Sequence, residues 1–230
     1  MFTATLIARP EGLETALVDA LRNAWGGETA VWLSRGEAAE FGLPHMPDNR
    51  WDVWEDLQRQ GVDLVIQPEA GRQKKMLLAD MDSTMIEQEC IDELAAEAGV
   101  GPHVAAITAR AMNGELDFEA ALIERVGLLK DLPETVIAKV LATRITLMPG
   151  GETLLATMRA TGGHAALVSG GFTAFTSAIG LRLGFDENHA NILLTENGKL
   201  TGEVARPILG KQAKVDALER ITTRLGINES

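Results

Sequence analysis

Two aspartates, Asp80 and Asp82, stand two residues apart at the end of a short apolar run in "LLADMDSTMIEQEC", residues 77–90. Desolvating one carboxylate is costly, and two side by side repel, so the pair calls for a cation or a proton. One chemistry uses both groups. A carboxylate attacks phosphorus and helps to hold a hard cation, while its neighbour passes a proton to the leaving oxygen. Mg2+ suits such a place, because it screens nucleophile from phosphate and needs few protein oxygens besides water. Thr84 completes an Asp-x-Asp-x-Ser/Thr pattern, which arises by chance in about one chain in ten of this length. A polar turn after a strand is the competing reading.

Four further groups have types that fit the same chemistry. Ser169, with Gly170 and Gly171 in "VSGGF", offers a hydroxyl and exposed amides at a helix start, which suits a phosphate. Ser169 would serve equally well as a cap for that helix. Lys214, near the start of the last helix, is either a charge partner or one solvated lysine among many. In "DFEAALIERVGLL", Phe118, Leu122, Arg125 and Leu129 recur on one helical face, so Arg125 interrupts an apolar stripe. It either snorkels to solvent or holds a carboxylate bidentately in a pocket. Glu89 is either an ordinary first-turn helix acid or the partner of a ligand ammonium.

These residues need elements to hold them. "MLLAD" (76–80) reads as a short buried strand, and in open parallel sheets ligands bind beyond the carboxyl ends of strands. "HAALVSGG" reads as a second such strand, followed by a helix through about Leu183. Between the two strands, residues 87–147 carry an almost continuous helical pattern, broken at "GVGP", "MNGE" and "KDLPE". "HANILLTENGKLTGEV" reads as a hairpin turned at "ENGK", and "GKQAKVDALERITTRLG" as the last helix. The alternation predicts an α/β domain with a Rossmann-like parallel sheet and an inserted helical cap. Ahead of it, strand patterns at 2–8, 29–34 and 62–68 alternate with two helical patterns in a small α+β unit of ferredoxin-like type. The polar, basic "EAGRQKK" (69–75) marks the boundary, giving domains at 1–72 and 73–230.

Composition narrows the function classes. At 46% hydrophobic residues, the 230-residue chain has enough apolar content for a core. A formal net charge of −12 disfavours nucleic acid or an anionic membrane as partner. Cys90 is the only cysteine, which excludes an intramolecular disulfide and a Cys-rich zinc site, and the four histidines lack ligand spacing. "MFTATLIARPEG" has no basic start, and no apolar run approaches about 18 residues, so a soluble cytoplasmic protein is expected.

Taken together, "LLADMDSTMIEQECIDELA", "MNGELDFEAALIERVGLLKDLP", "TLMPGGETLL", "LVSGGFTAF" and "GKQAKVDAL" resemble the phosphoserine phosphatases of the haloacid dehalogenase-like superfamily, from about residue 74 onward. The resemblance implies Mg2+-dependent hydrolysis of O-phospho-L-serine to L-serine and phosphate, the last step of serine biosynthesis. By the same resemblance Asp80 is the nucleophile and a Mg2+ ligand. Asp82 is the general acid/base, with its backbone carbonyl on the metal. Ser169 and Gly170 bind phosphate, and Lys214 balances the charge. Glu89 and Arg125 read the amino and carboxylate ends, with Met112 and Phe118 closing the cap. The first 72 residues resemble an ACT-like domain in topology and position, which implies serine or another amino acid as ligand and leaves a homodimer open. Another small-molecule phosphomonoesterase, or an amino-acid-binding form with little activity, remains the alternative. The family continues into a Gly-Asp-Gly-x-x-Asn-Asp motif whose first Asp completes the Mg2+ site. The present sequence reads "LGINES" at that point, so a C-terminally incomplete phosphatase domain of low activity is expected.

Overall fold

A computed structural model describes residues 1–228 and divides the chain into two compact units, Met1–Lys74 and a second beginning at Lys75. The first unit runs β1 (Phe2–Ala8), α1 (Thr15–Ala24), β2 (Val31–Ser34), β3 (Ala38–Leu43), α2 (Arg50–Arg59) and β4 (Val62–Pro68). Its four strands form an antiparallel sheet in the order β2-β3-β1-β4, the ferredoxin-like arrangement of a βαββαβ chain. One face carries the core. Ala4 and Leu6 of β1, Ala39, Phe41 and Leu43 of β3, and Leu64 of β4 pack with Val18, Leu21 and Leu57 from the helices. The sequence reading missed β3. Its "AAEFGL" does alternate, with Ala39, Phe41 and Leu43 buried, but two alanines and Gly42 weaken the apolar signal.

The second unit opens with β5 (Met76–Ala79). Four helices follow: α3 (Cys90–Glu97), α4 (Gly101–Met112), α5 (Phe118–Gly127) and α6 (Thr135–Thr143). Then come α7 (Gly151–Ala160), β6 (His164–Phe172), α8 (Thr173–Leu183), β7 (Glu187–Asn191), β8 (Leu193–Glu196), β9 (Lys199–Val204) and α9 (Gln212–Leu225). Strands β5, β6 and β7 form a parallel sheet in that order, and among the described residues β5 has β6 as its one neighbour. The sheet is apolar on both faces, as parallel strands between helices must be. Ala165 and Leu167 face Leu155 of α7 and Phe175 and Ile179 of α8, while Ala166 and Val168 face Ala217 and Ile221 of α9.

The α3–α6 insertion leaves and re-enters the sheet domain through a clip. Ile86 and Leu147 form an antiparallel bridge, the Glu87 amide donates to the Thr146 carbonyl at 3.0 Å, and the Met148 amide donates to the Met85 carbonyl at 3.0 Å. Within it, Leu94, Val104, Leu122, Val126, Leu129 and Val140 bury together in the same core as the sheet. Helix α5 ends at Gly127, so Leu129 lies beyond it rather than on its stripe.

The expected hairpin is divided. Its first residues join the parallel sheet as β7, and only β8 and β9 pair antiparallel, turning at Asn197 and Gly198 with φ of 51° and 76°. The hairpin docks on the segment after α5: the Asp131 amide donates to the Leu200 carbonyl at 2.9 Å, and the Leu200 amide to the Leu132 carbonyl at 2.8 Å. Leu200 itself is 2% exposed.

At the amino end of the sheet, Glu187 of β7 takes several partners. His164 Nε2 lies 2.7 Å from Oε1, His189 Nε2 lies 3.0 Å from Oε2, and the Arg224 guanidinium of α9 pairs with Oε1. Burial alone would raise this carboxyl, but the bonds from Arg224, His189 and His164 prevail and hold it at about 2. A depressed carboxyl contributes stability that is present above its ordinary value near 4.5 and is lost as pH falls from there toward about 2.

Two stability measurements follow from this packing. Leu200→Ala should lower the unfolding free energy by about 2–4 kcal/mol in urea, because it opens a cavity under the hairpin. A change below about 0.5 kcal/mol would mean that the hairpin adds nothing to the insertion. Glu187→Gln should cost on the order of 2 kcal/mol at neutral pH, less than the full shift because Arg224 is half exposed. In a pH series of unfolding midpoints, that difference should shrink between about pH 4.5 and pH 2; a pH-independent difference would contradict the assignment.

Candidate active site

The apolar strand β5 runs out at Ala79, which pairs with Leu167 of β6, and the next residue is Asp80. Its Oδ1 accepts from the Met81 amide at 2.7 Å, and its Oδ2 accepts from Lys214 Nζ at 2.5 Å. Lys214 reaches it from the first turn of α9. It lies three and seven residues ahead of Ala217 and Ile221, the side chains that seat α9 on the sheet, so one helix face both packs and delivers the ammonium.

Asp82 is arranged differently. Its Oδ1 accepts from the Cys90 amide at 3.2 Å, at the amino end of α3 where unpaired helix amides favour an anion. Burial nevertheless pushes this carboxyl up to about 6, with the charges of Glu89 and Asp80 adding to the rise and the bonds from Cys90 opposing it. Burial also pushes the Cys90 thiol well above its ordinary value, which keeps it protonated and unreactive. Two neighbouring carboxylates, one ion-paired and one with a raised pKa, are the arrangement in which acid–base and nucleophilic roles separate.

Opposite them, β6 bulges. Val168 faces His189 of β7 and Phe172 faces Asn191, so Ser169, Gly170 and Gly171 occupy a gap that one residue spans on β7. Ser169 Oγ accepts from the Gly171 amide at 3.0 Å, a local turn and not a cap on α8. A Cβ on Gly171 would come within 2.7 Å of Asp82 Oδ2, and one on Gly170 within 2.9 Å of Phe118 Cζ. Both glycines are needed for this close approach.

A cavity of about 160 Å³ lies between these groups, lined by Asp80, Asp82, Glu89, Ile91, Phe118, Leu122, Arg125, Ser169, Gly170, Gly171 and Phe172. Phe118, Leu122 and Arg125 enter from one face of α5, whose start is capped by Asp117 accepting from the Ala120 amide at 2.7 Å. Arg125 Nε donates to the Ala121 carbonyl at 3.2 Å, and the residue lines the cavity. Glu89 precedes α3, and its Oε1 accepts from Ser83 Oγ at 2.7 Å.

The structure therefore brings together Asp80, Asp82, Glu89, Phe118, Arg125, Ser169 and Gly170 around one cavity, and Lys214, outside that lining, pairs with Asp80. It does not bring Met112 into this group. Met112 ends α4, is 85% exposed and does not line the cavity, so its side chain closes nothing over the site here. Sequence reasoning did not single out Ile91, Leu122 or Phe172 as lining groups. Leu122 was readable from its place on the stripe shared by Phe118 and Arg125; the other two look like ordinary core residues.

No cluster of three or more His, Cys, Asp or Glu able to hold a metal occurs among the described residues. The donors that Asp80 and Asp82 bring to the cavity are hard carboxylate oxygens. Such oxygens suit a hard cation such as Mg2+, which keeps several waters and binds through one or two protein oxygens plus a phosphate.

The haloacid dehalogenase-like hydrolase family profile matches residues 77–230. A phosphoserine phosphatase of Archaeoglobus fulgidus is 43% identical over 175 residues, which are 75% of this chain and 51% of that protein. A phosphoserine phosphatase of Methanocaldococcus jannaschii is 44% identical over 157 residues, covering 68% of this chain and 74% of that protein. In the first of these the chain spans about half of the relative's length. Among solved structures, a hydrolase of this superfamily from Salmonella enterica serovar Typhi superposes with a TM-score of 0.83 at 28% identity, over 99% of this chain and 80% of that one. The chain belongs to the haloacid dehalogenase-like hydrolases, within their phosphoserine phosphatase family.

Proposed function

We propose that the chain hydrolyses O-phospho-L-serine to L-serine and inorganic phosphate through an aspartyl-phosphate (an acyl phosphate) on Asp80. The observation that carries the reading is the content of one cavity. Asp80 and the Ser169–Gly171 bulge, which suit a phosphoryl group, share it with Glu89 and Arg125, which suit an ammonium and a carboxylate. The relatives' own names add support.

In this reading an Asp80 oxygen attacks phosphorus and the P–O bond to the serine side chain breaks. Asp82, with its carboxyl near 6, gives its proton to the departing alkoxide. It then takes a proton from the water that attacks the aspartyl-phosphate, which frees phosphate and restores Asp80. Ser169 Oγ and the Gly170 amide hold the phosphoryl oxygens, and the Lys214 ammonium balances charge on Asp80 and the phosphoryl group. Bound at the Asp80 carboxylate and the Asp82 carbonyl, Mg2+ would screen the repulsion between nucleophile and phosphate. Glu89 faces the substrate ammonium, Arg125 its carboxylate, and Phe118 packs over the phosphate turn at Gly170.

The same reading assigns residues 73–230 to a phosphatase domain with a cap formed by residues 87–147. Residues 1–72 form an ACT-like domain for serine or another amino acid, supported by the βαββαβ strand order.

Phosphate release from phosphoserine with Mg2+ present tests the activity; serine binding without any release would favour an amino-acid-binding protein instead. Asp80→Asn should lower turnover by about 10³-fold or more, because an amide is a poor nucleophile. Near-normal turnover by the folded variant would remove Asp80 from this role. Arg125→Ala should cost roughly 2–5 kcal/mol with phosphoserine and little with phosphoethanolamine, which lacks the carboxylate. Equal penalties on the two esters would show that Arg125 does not read that group.

A further inference from the structure

Asn191 ends β7, is not itself one of the residues that line the cavity, and is 1% exposed. A buried amide carries two N–H donors and an acceptor, all of which need partners. Here each finds main chain. Nδ2 donates to the Gly170 carbonyl at 2.8 Å and to the Leu209 carbonyl at 3.1 Å, while Oδ1 accepts from the Leu209 amide at 2.7 Å.

The two targets belong to different parts of the site. Gly170 is the middle of the bulge on β6, where the ladder with β7 is interrupted and a carbonyl would otherwise lack its partner. Leu209 lies in the segment between β9 and α9 that leads to Lys214. One side chain thus ties the phosphate turn to the stretch that carries the lysine paired with Asp80. An aliphatic residue of similar size would leave three part-buried backbone groups without this partner.

We infer that Asn191 is a positioning residue for phosphoryl binding: it holds the Ser169–Gly171 turn and the Lys214 segment at a fixed spacing without touching the ligand. This rests on the reading of the cavity as a phosphate-ester site. The consequence is selective. The half of the cavity formed by Glu89 and Arg125 comes from α5 and the start of α3, and no bond of Asn191 reaches those elements.

Two variants separate positioning from general support. Asn191→Asp is isosteric and keeps an acceptor for the Leu209 amide, but sets carboxylate oxygen against two carbonyls; Asn191→Ala removes all three bonds. Titration calorimetry on the full chain with Mg2+ would measure affinity for inorganic phosphate and, separately, for L-serine, alongside phosphoserine kcat and KM. Phosphate affinity should fall by about 10–100-fold in both variants, the scale of losing an orienting partner, with L-serine affinity changed less than about twofold. Equal weakening of both ligands, unchanged phosphate affinity, or loss of the fold in both variants would overturn the inference and leave Asn191 as a purely structural residue. A wild-type chain that releases no phosphate from phosphoserine overturns the functional reading; normal phosphate binding in wild type and both variants overturns the positioning role alone.

Discussion

Two carboxylates set side by side in a small cavity, at the end of an apolar strand, impose the condition that the rest of the second unit meets. Their mutual repulsion and loss of water would move them apart or neutralise them unless fixed partners opposed both effects. The partners come from opposite sides of the sheet. Lys214 arrives from α9, whose Ala217 and Ile221 bury against Ala166 and Val168, and pairs with Asp80. The first amide of α3 serves Asp82, yet does not undo its desolvation, so its carboxyl remains near 6. The two groups are chemically unequal for that reason, and on the proposed reading that inequality is what would let one residue type serve as both nucleophile and proton carrier.

The same condition explains why the bulge in β6 carries glycines. Gly171 comes so near Asp82 that no side chain fits, and Gly170 passes under the ring of Phe118. A bulge also breaks the ladder and strands a carbonyl, which the buried amide of Asn191 recovers. Packing above the cavity is equally indirect. Helix α5 presents Phe118, Leu122 and Arg125, but its far end is held by the β8–β9 hairpin through Asp131, Leu132 and Leu200. The clip between residues 85–87 and 146–148 fixes where the insertion leaves the sheet.

Much of this is written in local pattern. The Asp pair after an apolar run placed a strand end; the spacing of Phe118, Leu122 and Arg125 placed them on one helix face; Asn197-Gly198 marked a turn that needs positive φ at both positions. Strand β3 escaped because small residues and Gly42 blur a two-residue period. Ordered motifs carried the family, since several short stretches in the same order are far less frequent by chance than one.

The sequence by itself determined most of the strands and helices, β3 and the division of the hairpin excepted, and which reactive residue types lie at strand ends, because each of these depends on neighbours a few positions away. Only the tertiary structure decided the partners. Lys214 meets Asp80 across a separation of 134 residues, Met112 points to solvent although it ends a helix whose Val104 and Ile107 are buried, and Asn191 bonds Gly170 and Leu209. No period in the chain encodes such pairings. They follow from how distant elements pack and from the requirement that every polar group removed from water find another in its place.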